Sequence, residues 1–204
     1  MPRLVTFGCS LTYGYALKDC YPVTDKPSEL AWPTLLAKKL NRDCLNLSVP
    51  GSGNLQILMA VLKTEYQPDD LIIVAHSYFN RFEWFKFDDY QGNGYTVTPS
   101  KEGHKQKILS ELGEKHIEEK YYWYNWLAIH HTNLFLQNQN VKFNQFLNIP
   151  KNKRERKFNM LPILNFWEDV RVIIEDVALD TLHPGPLSNE LQAQILYEKI
   201  NGQT

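Results

Sequence analysis

Four short runs of apolar, β-prone residues, separated by segments with helical spacing, constrain this chain more than any other feature. Leu4–Phe7 ends at Gly8, Cys44–Leu47 precedes a Pro-Gly turn, Leu71–Ala75 follows the breaker Pro68-Asp69-Asp70, and Val141–Phe146 comes late. The first and third runs lack polar alternation, as strands covered on both faces do. Between them, Ser28–Leu40 sets Leu30, Trp32, Leu35, Leu36 and Leu40 at helical spacing. Leu55–Thr64 does the same with Ile57, Leu58, Val61 and Leu62. A long helix is expected over Leu109–Asn138. A last one is expected over Pro186–Ile200, with Leu187, Leu191, Ile195 and Leu196 as its apolar face.

Alternating β and α units of this length predict an α/β fold: a three-layer α/β/α, flavodoxin-like sandwich around a parallel sheet. The 204 residues suit a single domain, 1–204. An aromatic-rich insert or cap is expected at about 83–138. Its first part, Phe82 to Ser100, reads as irregular, with a turn at Gln91-Gly92-Asn93-Gly94.

Charge and cysteine content narrow the function. With 22 basic and 23 acidic residues and a net charge of −1, no electrostatic case exists for nucleic-acid binding. The basic run Lys151–Lys157 reads as a solvated loop. Three widely spaced cysteines make neither a disulfide framework nor a zinc site. The histidines outside the C-terminal region lack metal-ligand spacing, so neither metal nor cofactor is expected. The apolar runs are too short to cross a bilayer, and no signal peptide is read at the N-terminus. The expectation is a cytoplasmic protein without membrane association.

The two ends of the chain carry the chemistry. Gly8-Cys9-Ser10-Leu11-Thr12 closes the first strand, and Asp180-Thr181-Leu182-His183-Pro184 precedes the last helix. A hydroxyl, an imidazole and a carboxylate are the three groups that acyl transfer needs: Ser10 to attack, His183 to take its proton, Asp180 to orient the ring. Each piece also has a plain structural reading. Ser10 suits a helix N-cap, Asp180–Pro184 suits a turn, and Gly51 after Pro50 suits a loop. Cys9, next to Ser10 on an extended turn, should point into the core rather than to the cleft. Ser10, Gly51 and residues 77–80 each follow a strand, so all should emerge at one sheet edge, where ligands bind in such folds.

These residues resemble the SGNH (GDSL-like) hydrolase superfamily. Gly8–Thr12 is similar to its first block, Asn46–Asn54 to its second, and Asp180, His183 and Pro184 to its last. The combination with Trp32-Pro33 resembles a subgroup met in bacteriophage and bacterial genomes. The resemblance covers roughly the first 85 residues and the last 30. It implies ester hydrolysis through a Ser10–His183–Asp180 triad and an acyl-enzyme, with small acyl esters, such as O-acetyl groups on carbohydrate, as substrates. It also implies an oxyanion hole from the Ser10 N–H, the Gly51 N–H and the Asn80 side chain. The family's Gly-x-Asn-Asp turn is replaced by Ala75-His76-Ser77-Tyr78-Phe79-Asn80-Arg81, and Asn80 aligns only after a shift of one residue. Ser77 and Arg81 are the polar alternatives. A second reading stays open: a binding or structural protein, virion-associated if phage-encoded, that keeps the fold and has lost catalysis.

Overall fold

The computed structural model describes residues 1–22, 24–79, 81–84, 95–97, 117–148 and 165–202. The chain runs β1 (Arg3–Phe7), α1 (Ser10–Tyr13), α2 (Trp32–Leu40), β2 (Asp43–Asn46), α3 (Asn54–Lys63) and β3 (Leu71–His76). It continues through β4 (Phe82–Trp84), β5 (Tyr95–Val97), α4 (Ile117–Gln137), β6 (Lys142–Leu147) and α5 (Pro186–Asn201). Gln91–Gly94, Lys151–Lys157 and the expected start of the long helix at Leu109 lie outside the described residues.

β2, β1, β3 and β6 form a parallel sheet in that order. The chain therefore steps outward from β1 to β2, then crosses back over β1 to β3. This reversal puts α2 and α3 on opposite faces and opens a crevice at the carboxyl ends of β1 and β3. Alternate residues of each strand feed opposite layers. Leu4, Ile73 and Ala75 pack with Trp32, Leu36, Ala193 and Leu196 of α2 and α5. Val5, Phe7, Ile72 and Val74 pack with Ile57 and Val61 of α3 and Leu136 of α4. The architecture is the expected α/β/α sandwich.

Three expectations need correction. α2 begins at Trp32 rather than Ser28, because Pro33 suits the first helical turn, where its missing N–H has no intrahelical partner. Residues 82–84 and 95–97, read as irregular, form a short antiparallel ladder, Phe82 opposite Val97 and Trp84 opposite Tyr95. Those three-residue strands are too short for a periodicity signal. The larger correction concerns α5. It buries Ser188, Asn189, Gln192, Ala193 and Leu196, while Leu187, Leu191 and Ile195 are 50%, 38% and 37% exposed. Hydrogen bonds explain the inversion. Asn189 Oδ1 accepts the Trp32 N–H at 2.9 Å and so caps α2, and Gln192 Oε1 accepts the Ile173 N–H at 3.2 Å. An apolar stripe cannot supply those acceptors.

A buried polar chain links β3, β6 and α4. His76 Nε2 donates to Gln145 Oε1 at 2.9 Å, and Gln145 Nε2 donates to Asn133 Oδ1 at 3.0 Å. His76 is wholly buried, and burial outweighs the Gln145 bond, pushing its pKa down to about 4. An unfolded histidine titrates near the ordinary pH of about 6.5. Between those values the unfolded chain binds more protons, so stability should fall as pH drops from about 6.5 to 4, by about 3 kcal/mol in all. Urea unfolding across that range measures the loss, and His76→Gln should remove most of it. An unchanged pH slope in that variant would exclude the ring as its source.

Candidate active site

The Ser10 turn follows directly from β1. Cys9 is extended, with φ −109° and ψ −157°, and α1 starts at Ser10, so the chain changes direction at the edge of the sheet. Cys9 is fully buried, as its position on the turn led us to expect, and Ser10 is nearly so, at 6% exposure. The turn is held from both sides. Asn46 Nδ2 donates to the Thr12 carbonyl at 2.9 Å, and Asn148 Nδ2 donates to Thr12 Oγ1 at 3.0 Å. Sequence reading placed Asn46 in the second block without this role, and Asn148 carries no signal beyond its position at a strand end.

His183 arrives from the far end of the chain on a loop sewn to this turn. Leu179 N–H donates to the Ala16 carbonyl at 3.1 Å, and Ala178 N–H to the His183 carbonyl at 2.8 Å. The His183 and Ser10 side chains meet, with Nε2 to Oγ at 3.0 Å, and His183 Nδ1–H donates to Asp180 Oδ2 at 2.6 Å. Asp180 Oδ1 accepts the N–H groups of Leu182 and His183, both at 3.0 Å. Burial alone would raise the Asp180 carboxyl. The two N–H groups and the imidazole outweigh it, leaving the group below the ordinary carboxylate range. Asp180 therefore remains an acceptor at neutral pH, which fixes the proton on His183 Nδ1 and leaves Nε2 to accept from Ser10. The Tyr15 ring lies 4.9 Å from the imidazole, tilted by 45°.

Gly51 occupies the third position of a turn closed by the Ser52 N–H to the Val49 carbonyl at 3.2 Å. Its φ of +85° demands glycine whatever its chemistry, and Pro50 before it fits a type II turn. Among the described residues neither the Gly51 N–H nor the Ser10 N–H has an acceptor. Asn80 lies outside the described residues. Ser77 does not: it is fully buried, and its main chain is clasped by Asn54, the first residue of α3. Asn54 Oδ1 accepts the Ser77 N–H at 2.8 Å, and Asn54 Nδ2 donates to the Ser77 carbonyl at 3.1 Å and to Asn125 Oδ1 at 2.7 Å. Sequence reading placed Asn54 in the second block and missed this role. Beside the Gly51 turn a cleft of about 240 Å³ runs from Gly8 and Ser52 past Leu47 and Ile57 to Lys63.

No protein-family model matches the sequence, and no curated protein matches it. Solved structures match in fold. An acetyl xylan esterase, Est2A, from the rumen bacterium Butyrivibrio proteoclasticus superposes with a TM-score of 0.61 at 18% identity, over 99% of this chain and 64% of that one. A carbohydrate acetylesterase family member from Sinorhizobium meliloti gives 0.54 at 13% identity, over 99% and 98%. The psychrotrophic esterase EstA from Pseudoalteromonas sp. gives 0.51 at 15%, over 100% and 98%. The chain shares the fold of these esterases. The chain spans less than two thirds of the length of the acetyl xylan esterase.

The approach of His183 depends on Asp176, which sequence reading also missed. Asp176 caps α5 by accepting from Ser188 N at 2.7 Å, Ser188 Oγ at 2.6 Å and Leu187 N at 3.1 Å. Gly185 lies against it: a Cβ there would sit 2.4 Å from Asp176 Oδ2 and 2.8 Å from the Val177 carbonyl oxygen. Since the second of these is backbone, a side-chain rotation cannot relieve the clash. Gly185→Ala should therefore lower stability by about 1–3 kcal/mol, the usual range for overpacking. Urea unfolding checks this, and an unchanged midpoint would mean that the loop yields freely.

Proposed function

We propose that this chain is a serine esterase that cleaves small acyl esters through a covalent acyl-enzyme. The observation that carries the proposal is the continuous hydrogen-bonded line from Ser10 Oγ through the His183 ring to Asp180, at 3.0 and 2.6 Å. In this mechanism His183 Nε2 takes the Ser10 proton as Oγ attacks the acyl carbonyl carbon. The carbonyl oxygen becomes an oxyanion, which the N–H groups of Ser10 and Gly51 receive, with Asn80 as third donor. His183 then returns the proton to the leaving alcohol, and Ser10 keeps the acyl group. A water attacks the acyl carbon by the same route, giving its proton to His183, and the acid and free Ser10 are released. No metal or cofactor takes part.

O-acetyl groups on carbohydrate are the substrate class we favour. The family resemblance implies them, and two of the similar structures are by name a xylan and a carbohydrate acetylesterase. Aromatic rings beside the strand ends suit a sugar face: Phe79 stacks on Tyr122 at 5.3 Å, and Trp123 is 59% exposed. The missing Gly-x-Asn-Asp turn favours the second reading, a binding or structural protein that has lost catalysis.

Labelling with a fluorophosphonate separates the two, since only an activated Ser10 gains the adduct mass. Ser10→Ala and His183→Ala should each lower hydrolysis of a short-chain chromogenic ester by on the order of 10⁴-fold or more. The double variant should be no worse than either single one, because the residues act in one step. Losses that multiply would separate Ser10 from His183, and an unlabelled Ser10 in an inactive protein would favour the binding reading.

A further inference from the structure

The crevice holds a cation that the esterase mechanism does not use. Arg81 follows Ser77 past the end of β3, and its Nη1 donates to the Ser52 carbonyl at 3.0 Å and to Ser77 Oγ at 2.9 Å. The guanidinium lies over the Tyr78 ring, 5.2 Å from its centroid. The Arg81 carbonyl accepts from Asn125 Nδ2 at 3.0 Å, so the backbone is fixed as well. The side chain is thus half-buried and held from several directions. Among the described residues no carboxylate lies within ion-pairing distance of it, and Nε and Nη2 have no acceptor.

Sheet register sets the end of β3, which Arg81 follows, next to the end of β1, which Ser10 follows. Phe7 pairs with Val74, so three further residues on each chain reach Ser10 and Ser77. Adjacent strands lie about 5 Å apart. Ser52, the other acceptor, adjoins Gly51 on the proposed oxyanion side. A brace between Ser52 and Ser77 needs only one donor group and no charge. What remains is a partly desolvated cation, without a carboxylate partner among the described residues, presenting a two-nitrogen edge, the geometry that matches a carboxylate fork.

We propose that Arg81 is the anion-binding subsite of the candidate active site. Its Nε–Nη2 edge takes a carboxylate of the substrate, so the preferred substrates are acyl esters that carry a carboxylate close to the scissile bond. This deepens the esterase reading and rests on it.

Two matched pairs of esters test the proposal: 4-acetoxybenzoate against its methyl ester, and mono-4-nitrophenyl succinate against 4-nitrophenyl butyrate. The first pair carries the charge on the alcohol side, the second on the acyl side. After division by the rates with hydroxide, the wild-type protein should favour the carboxylate member of at least one pair by about 10- to 100-fold in kcat/KM. Arg81→Gln should abolish that preference, and Arg81→Lys should retain part of it, with charge but no fork. No preference in either wild-type pair overturns the proposal, even if Arg81→Gln does not fold. So does a preference that survives in Arg81→Gln, or equal losses on both members of a pair, which would assign the guanidinium to the oxyanion or to bracing Ser52. If no ester is cleaved and Ser10 takes no fluorophosphonate, the esterase reading has failed separately. Calorimetry with 4-acetamidobenzoate and its methyl ester then decides. Binding of the acid alone, lost in Arg81→Gln, supports the subsite, whereas equal or absent binding overturns it.

Discussion

Everything at the candidate site depends on β1 being paired on both sides by strands whose connections run in opposite directions. β2 is reached by way of α2 on one face, and β3 by way of α3 on the other. No helix can cover the carboxyl end of a strand at such a reversal, so the crevice is a consequence of topology. Ser10, just past β1, and Ser77, just past β3, lie at this edge of the sheet because the register of the two strands is fixed. The fully buried strand faces fix that register in turn, since a slip of one residue would exchange the layers to which Val5 and Leu4 belong.

The sheet alone does not bring His183 to Ser10. That approach runs through polar residues buried between elements far apart in sequence. Asp176 caps α5, Asn189 on α5 caps α2, and the Leu179 N–H ties the histidine loop to the residues after α1. The N-termini of α2 and α5 are each satisfied by a side chain from elsewhere, since neither helix has a side-chain cap of its own. A local cap would stabilise a helix independently. These long-range caps make α2, α5 and the histidine loop interdependent, so the geometry of His183 is coupled to the packing of the layer that carries it. Asp70 serves the same end at the other side of the sheet, where it accepts from Arg3 Nε at 2.9 Å and Nη2 at 2.6 Å and ties the start of β1 to the turn before β3.

This division explains what the sequence made legible. Strands and layers follow from apolar runs and helical spacing, so β1, β3 and the order of the βα units could be read directly. Ser10, Asp180 and His183 could be nominated because their residue types, and their places after the first strand and before the last helix, are chemically specific. The polar clamps could not. Asn54, Asn148, Asp176 and Asn189 are single asparagines and aspartates at helix starts, a strand end and a loop, where such residues are common in any chain. Their meaning lies in partners from 11 to 157 residues away, such as Leu187 for Asp176 and Trp32 for Asn189. The same cause misled the reading of α5, where leucine spacing marked a face that tertiary hydrogen bonds turn outward.

The loop between Asp180 and His183 shows how the two kinds of constraint meet. Thr181 has φ +59°, a left-handed conformation that a β-branched residue adopts only at a cost. Its N–H donates to the Ala178 carbonyl at 3.0 Å, and the next two N–H groups converge on Asp180 Oδ1. An extended Thr181 would carry the Leu182 and His183 N–H groups away from the carboxylate and swing the ring off Oδ2. The tight conformation is therefore what lets one carboxylate hold both the main chain and the imidazole of the same residue. With the backbone N–H and Nδ1 of His183 both bound to Asp180, the ring has little freedom to turn, and Nε2 is left facing Ser10. The strain is local, while the orientation it maintains joins residues 173 positions apart.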